Sequence, residues 1–179
     1  NGKIDRPFLI FDSADFKYAY GDYQHQELEA EPDGEVEVVT TFKDKGNEGR
    51  IDLIQKPWRD LHGAMGAQVI SRDYVVTGEE AFVPPSETIS WGLYAVEEYH
   101  LEPFTFEAGV RFERQTIQAK QVVAGAVVNA PYNRDWNTGS FSLGASWEFI
   151  ENWLVGFSLS RTERAPTAEE LLSSGPHLA

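Results

Sequence analysis

The residues with the clearest chemical potential are His25 and Glu27. Alternate residues of a β-strand share a face, so an imidazole and a carboxylate at this spacing point the same way. Zinc accepts nitrogen and oxygen donors, but two side chains do not complete its four-ligand shell. Glu79, Glu80 and His177 are candidate partners from segments that read as loops. Imidazole and carboxylate suit zinc and other borderline metals, and no thiolate exists to favour a softer ion, because the chain has no cysteine. Ordinary exposed polar residues are the alternative reading of all five.

Covalent or acid–base chemistry finds less support. Glycoside hydrolysis needs two carboxyls flanking one bond, whereas strand neighbours such as Glu97 and Glu98 point to opposite faces. No serine occupies a Gly-x-Ser-x-Gly elbow, and no phosphate-binding glycine pattern occurs. The chain is therefore expected not to be an enzyme and to carry no cofactor, with zinc or another metal entering only as a bound ligand.

Strands must position these side chains. The clearest pair lies within Thr138–Arg164. Phe141, Leu143, Ala145, Trp147 and Phe149 alternate with Ser142, Gly144, Ser146 and Glu148. After Ile150-Glu-Asn152 the pattern resumes with Trp153, Val155, Phe157 and Leu159 against Gly156, Ser158 and Ser160. Such alternation specifies two antiparallel strands joined by a tight turn. Each is long for a soluble strand and suits a tilted membrane-crossing one of about nine to eleven residues. One apolar row and one small polar row is the pattern of a transmembrane β-barrel. Phe106, Val110, Leu143, Trp147, Val155, Phe157 and Leu159 are expected to face lipid. Glu107, Arg111, Ser146, Glu148 and Ser158 are expected to face the lumen.

Further strands are expected over Asp15–Glu29, Glu35–Lys43, Gly49–Lys56, His62–Val75, Thr88–Tyr99 and Phe104–Glu113. Residues 44–48 read as a short loop, 76–87 and 114–137 as long loops, and 165–179 as an irregular segment with one helical turn at Ala168–Leu172. The total is about eight antiparallel strands: an all-β, partial transmembrane barrel. Short turns at 57–61, 100–103 and 150–152 fall at one end and long loops at the other. Outer-membrane barrels put their short turns in the periplasm. A soluble, secreted β-sandwich or small barrel binding a ligand or glycan is the alternative, since eight strands suffice for it.

The net charge of −14 argues against nucleic acid, whose phosphates need a basic face. A mean hydropathy of −0.40 says little about a barrel, because only alternate residues meet lipid.

Ser158-Leu-Ser-Arg-Thr-Glu-Arg-Ala-Pro-Thr-Ala-Glu-Glu-Leu, followed by Gly175-Pro-His-Leu-Ala179, resembles a segment of TonB-dependent outer-membrane receptors. Tyr23-Gln-His-Gln-Glu27, Gly49-Arg-Ile-Asp-Leu53, Gly78-Glu-Glu-Ala-Phe-Val-Pro84 and Phe106-Glu-Ala-Gly-Val-Arg-Phe-Glu113 resemble the zinc-uptake-receptor-like branch in the same order. The resemblance implies that residues 1–179 are part of a barrel of about twenty-two strands. It also implies a plug domain not present in this chain, and a location in the Gram-negative outer membrane. Its partners would be outer-membrane lipid, a small nutrient, and TonB acting through an N-terminal region not found here. Relatives in this branch often carry a histidine-rich external loop, whereas Arg114–Asn137 contains no histidine. That leaves room for a metal complex or another small nutrient.

Overall fold

A computed structural model describes residues 1–8, 10–30, 32, 34–78, 81–119, 123–124, 126–127 and 131–173. The strands are β1 (Gly2–Asp5), β2 (Phe11–Ala30), β3 (Val36–Gln55), β4 (Leu61–Gly78), β5 (Ser86–Leu101) and β6 (Phe104–Ala119). They continue with the two-residue β7 (Val123–Ala124) and β8 (Ala126–Val127), then β9 (Tyr132–Ile150) and β10 (Trp153–Arg161). A short helix, α1, follows at Ala168–Leu172. Eight strands form one antiparallel sheet in the order β1-β2-β3-β4-β5-β6-β9-β10, and β7 pairs with β8 separately. The sheet is open, with β1 and β10 at its edges.

Among the described residues the other sheet is the pair of two-residue strands β7 and β8, too small to be the second layer of a sandwich, which removes that alternative. The surface area says the same. A compact protein of 20.1 kDa exposes about 8,700 Å², whereas this chain exposes 12813 Å². A single open layer with an uncovered apolar outer face accounts for such an excess. Phe106, Val110, Leu143, Trp147, Val155, Phe157 and Leu159 all stand exposed there. The register places Glu107, Arg111, Ser146, Glu148 and Ser158 on the opposite, inner face, as the alternation predicted.

Aromatic residues bound the apolar face at two heights. Trp91 and Tyr99 on β5, Phe112 and Phe104 on β6, and Phe141 and Phe149 on β9 are each eight residues apart. Eight residues of strand extend about 26 Å, or about 20 Å along the axis of a barrel tilted by the usual 35–45°. With the rings' own extent, that approaches the ~25 Å apolar band of a membrane barrel. At the short-turn end the rings touch: Phe104–Trp147 at 6.0 Å, Trp147–Phe149 at 5.5 Å and Phe149–Trp153 at 6.5 Å between centroids. Glu97 is a charged exception on the outer face, two residues from Tyr99. It accepts a 2.8 Å hydrogen bond from Gln55 Nε2 and lies across Gly63, where a Cβ would collide with its carboxylate.

Two expectations are corrected. Residues 44–48 form no loop; they run through the middle of β3. Likewise β6 reaches Ala119 and β9 starts at Tyr132, so the expected loop 114–137 is strand at both ends. Both stretches were misread because their outer rows are polar rather than apolar. Beyond the upper aromatic row the outer face no longer needs apolar residues, and cross-strand polar pairs hold the ladder. Lys45 pairs with Asp22 at 3.1 Å, Tyr18 donates to Asn47 at 2.6 Å, and Arg114 and Thr116 both bond Asp135 (2.9 and 2.7 Å). The unplaced N-terminal residues supply β1, which pairs with Ser13–Phe16.

Candidate functional site

The middle of the inner face is lined mainly by polar and charged side chains. Its centre is Asp52 on β3, only 8 % exposed although no second layer covers it. A buried carboxylate is costly unless paired, and three side chains satisfy this one. Arg50 donates to it at 2.8 Å, Lys17 approaches to 3.4 Å from β2, and the Tyr94 hydroxyl reaches across from β5. Gly66 permits that crossing: a Cβ there would strike the Tyr94 hydroxyl and the Ile51 carbonyl. The guanidinium groups of Arg50 and Arg111 lie 5.1 and 5.8 Å from the Tyr94 ring centre. Arg111 extends the chain of contacts to Gln68 at 3.0 Å, and Gln68 donates to Glu48 at 2.6 Å. Arg111 also lies over Gly92, where a Cβ would sit 2.8 Å from its Nη2. Glycines on neighbouring strands thus let long side chains lie flat against the wall.

Nearer the long-loop end, Arg72 grips Asp44 with two bonds of 3.0 and 2.7 Å and binds Glu169 at 2.8 Å. Glu169 belongs to α1, so this pair docks the segment after β10 onto the inner face. Leu172 packs against the apolar cluster of Phe42, Val76 and Val83, and Gln115 Nε2 donates to the Pro166 carbonyl at 2.8 Å. α1 starts where expected, because Thr167 and Glu170 form a reciprocal capping box. Glu170 also pairs with Arg164 at 2.5 Å. That bond, with the Thr167 N–H, lowers its carboxyl to about 2. Arg164 rises in turn, chiefly through its bond to Glu170.

His25 and Glu27 do share the inner face, in register with Phe42 and Thr40. They lie at the long-loop end, since Thr40 in turn pairs with Gly78. The His25 ring is stacked on Phe42, 4.4 Å between centroids and 5° from parallel. The Tyr23 ring centre lies 5.5 Å from that of His25. Glu79, Glu80 and His177 lie outside the described residues. Among the described residues no three His, Cys, Asp or Glu side chains stand arranged to hold a metal ion.

Sequence reading placed Arg111 and Glu107 on the inner row, and assigned no role to them or to Arg50 and Asp52. The linkage of Arg50 and Asp52 to Arg111 needs the register, which puts Tyr94 between them. The usable signal was polar residues two apart on a strand facing glycine on the next.

The TonB-dependent receptor-like β-barrel family model matches residues 5–179. Among solved structures, a chain described as the copper transporter OprC superposes with a TM-score of 0.76 at 12 % sequence identity. The match covers 92 % of this chain and 29 % of that one, so this chain spans under a third of the length of the protein it resembles. At that identity the likeness establishes the fold. Strand order, the two contrasting faces and the family match agree: the chain belongs to the TonB-dependent receptor-like β-barrel family.

Proposed function

We propose that this chain is a section of the wall of an outer-membrane receptor that actively takes up a scarce nutrient, a metal ion or metal complex, driven by TonB. The observation that carries the reading is the contrast between the two faces. The outer face is apolar between two aromatic rows, and the inner face is polar, charged and internally bonded. In lipid, every backbone polar group needs a partner, so the unpaired edges of β1 and β10 would be closed by further strands of the same receptor.

The zinc-uptake-like cargo is supported by the placement of His25 and Glu27. Both face inward at the long-loop end, where an external ligand would arrive. The copper transporter named above handles a metal, by its description, on the same fold. β4 ends at Gly78 on that side, and Glu79 and Glu80 follow it in the sequence. Zinc titration of the intact receptor tests this, with His25→Ala and His177→Ala compared against wild type. Weaker binding in either variant supports the assignment. Unchanged affinity in both removes these residues from the ligand path. Loss of cellular uptake of radiolabelled zinc on adding a protonophore tests the energy coupling.

A further inference from the structure

A second group of metal-ligating side chains sits at the opposite, short-turn end of the inner face. His62 on β4 is directly opposite Glu98 on β5, and His100 follows two residues later on the same face. The two imidazole rings meet edge to face, 5.6 Å between centroids. Glu98 Oε1 lies 2.7 Å from His100 Nε2. The other ring nitrogen of His100 is held by the Thr105 hydroxyl at 3.1 Å, and its backbone N–H donates to the Asp60 carbonyl at 2.9 Å. Ring and backbone of His100 are therefore both anchored, with Nε2 aimed at the carboxylate.

We propose that His62, Glu98 and His100 form a binding site for a borderline divalent cation such as zinc or copper(II). Two imidazoles and one carboxylate are a recurrent zinc donor set, with the fourth position open to water. A metal-bound imidazole commonly has its second nitrogen fixed by an outer hydrogen bond, as Thr105 fixes that of His100. Charge argues the same way. Glu98 is directly opposite Glu107 on β6, and like charges facing across strands are destabilising. Glu107 leans off over Gly144, its Oε2 3.2 Å from where a Cβ would be. That leaves Glu98 free to turn toward the histidines.

As they stand, Glu98 bonds His100 and the His62 ring meets that of His100 edge on, and the three do not surround a common point. Cross-strand neighbours have Cβ atoms about 4.5–5.5 Å apart and diagonal ones about 7–8 Å. The proposed site requires Glu98 and His62 to rotate about their side-chain bonds so that three donors meet around one ion. The site needs nothing from His25 or the long loops and does not depend on what the receptor carries.

The test uses the full-length receptor in detergent, without a histidine tag, titrated with zinc alone and then with one equivalent of copper(II) for EPR. The inference expects His62→Ala and Glu98→Gln each to weaken one tight zinc site by about tenfold or more. It expects nitrogen hyperfine structure from two imidazoles in the unmodified receptor, reduced to one in His62→Ala. Heat-modifiable migration on gels confirms that each variant is folded. Unchanged zinc affinity in both folded variants overturns the site. So does a copper spectrum of the unmodified receptor that lacks two imidazole nitrogens, a readout that needs no variant.

Discussion

Placing a lysine at Ala145 examines the two-faced wall at its most demanding point. Ala145 is on the outer face of β9, four residues from Phe141 and four from Phe149. Its cross-strand neighbours are Phe106 on β6 and Phe157 on β10. Four residues of strand extend about 13 Å, or about 10 Å along the axis of a tilted barrel. The ammonium would therefore start midway between the aromatic rows, where snorkelling along its aliphatic stem brings least relief. A lysine at the bilayer midplane of a barrel costs about 2–4 kcal/mol, about a 30- to 700-fold loss in the folding equilibrium. One residue on, Ser146 faces inward between Thr105 and Gly156, and Ser146→Lys should cost within about 0.5 kcal/mol. The assay is urea titration of the intact receptor in lipid vesicles, reading the folded fraction from heat-modifiable migration. Equal costs at the two positions, or a greater cost at Ser146, would refute the assignment of faces.

Three further outcomes follow from the inner face. Gly66→Ala should displace the Tyr94 hydroxyl from Asp52 and destabilise the receptor by about 1–3 kcal/mol; a melting curve that matches wild type would show that Tyr94 does not need the notch. Arg72→Ala removes the ion pair that docks α1 and should expose the chain beyond Arg164 to limited proteolysis, with the strands still protected. The Glu170 carboxyl is held low, so its contribution to α1 is complete above the ordinary glutamate value near 4.5 and is lost as pH falls through about 2. Hydrogen exchange at the α1 amides should therefore quicken across that window relative to the intrinsic rate, and Glu170→Gln should abolish the dependence.

The wall was legible in the sequence wherever one face had to be apolar. From Phe104 to Glu113 and from Phe141 to Leu159 the requirement for an uncharged outer row imposes strict alternation, so faces and register could be read directly. Legibility ended at the upper aromatic row. There, residues 44–48 and 114–119 carry polar outer rows and look like loops, although Lys45, Asn47, Arg114 and Asp135 hold them as strand through pairs on neighbouring strands. The candidate sites show the same limit. His25 and Glu27 share a strand, so their common face was visible at spacing two. His62 and Glu98 are 36 residues apart and meet only through the β4–β5 register, and Asp52 meets Tyr94 only because Gly66 lies between them. Contacts within a strand follow from periodicity, whereas contacts between strands need the register.

The central claim, that one face of this sheet meets lipid and the other a watery lumen, is tested most directly by spin labels at Leu143 and Ser146. These positions lie three residues apart on β9, on opposite faces, and the chain has no native cysteine to compete for labelling. In vesicles, the label at Leu143 should relax faster with oxygen, which partitions into lipid. The label at Ser146 should relax faster with a water-soluble nickel chelate. Equal accessibility of both labels to the nickel chelate would contradict the barrel-wall account.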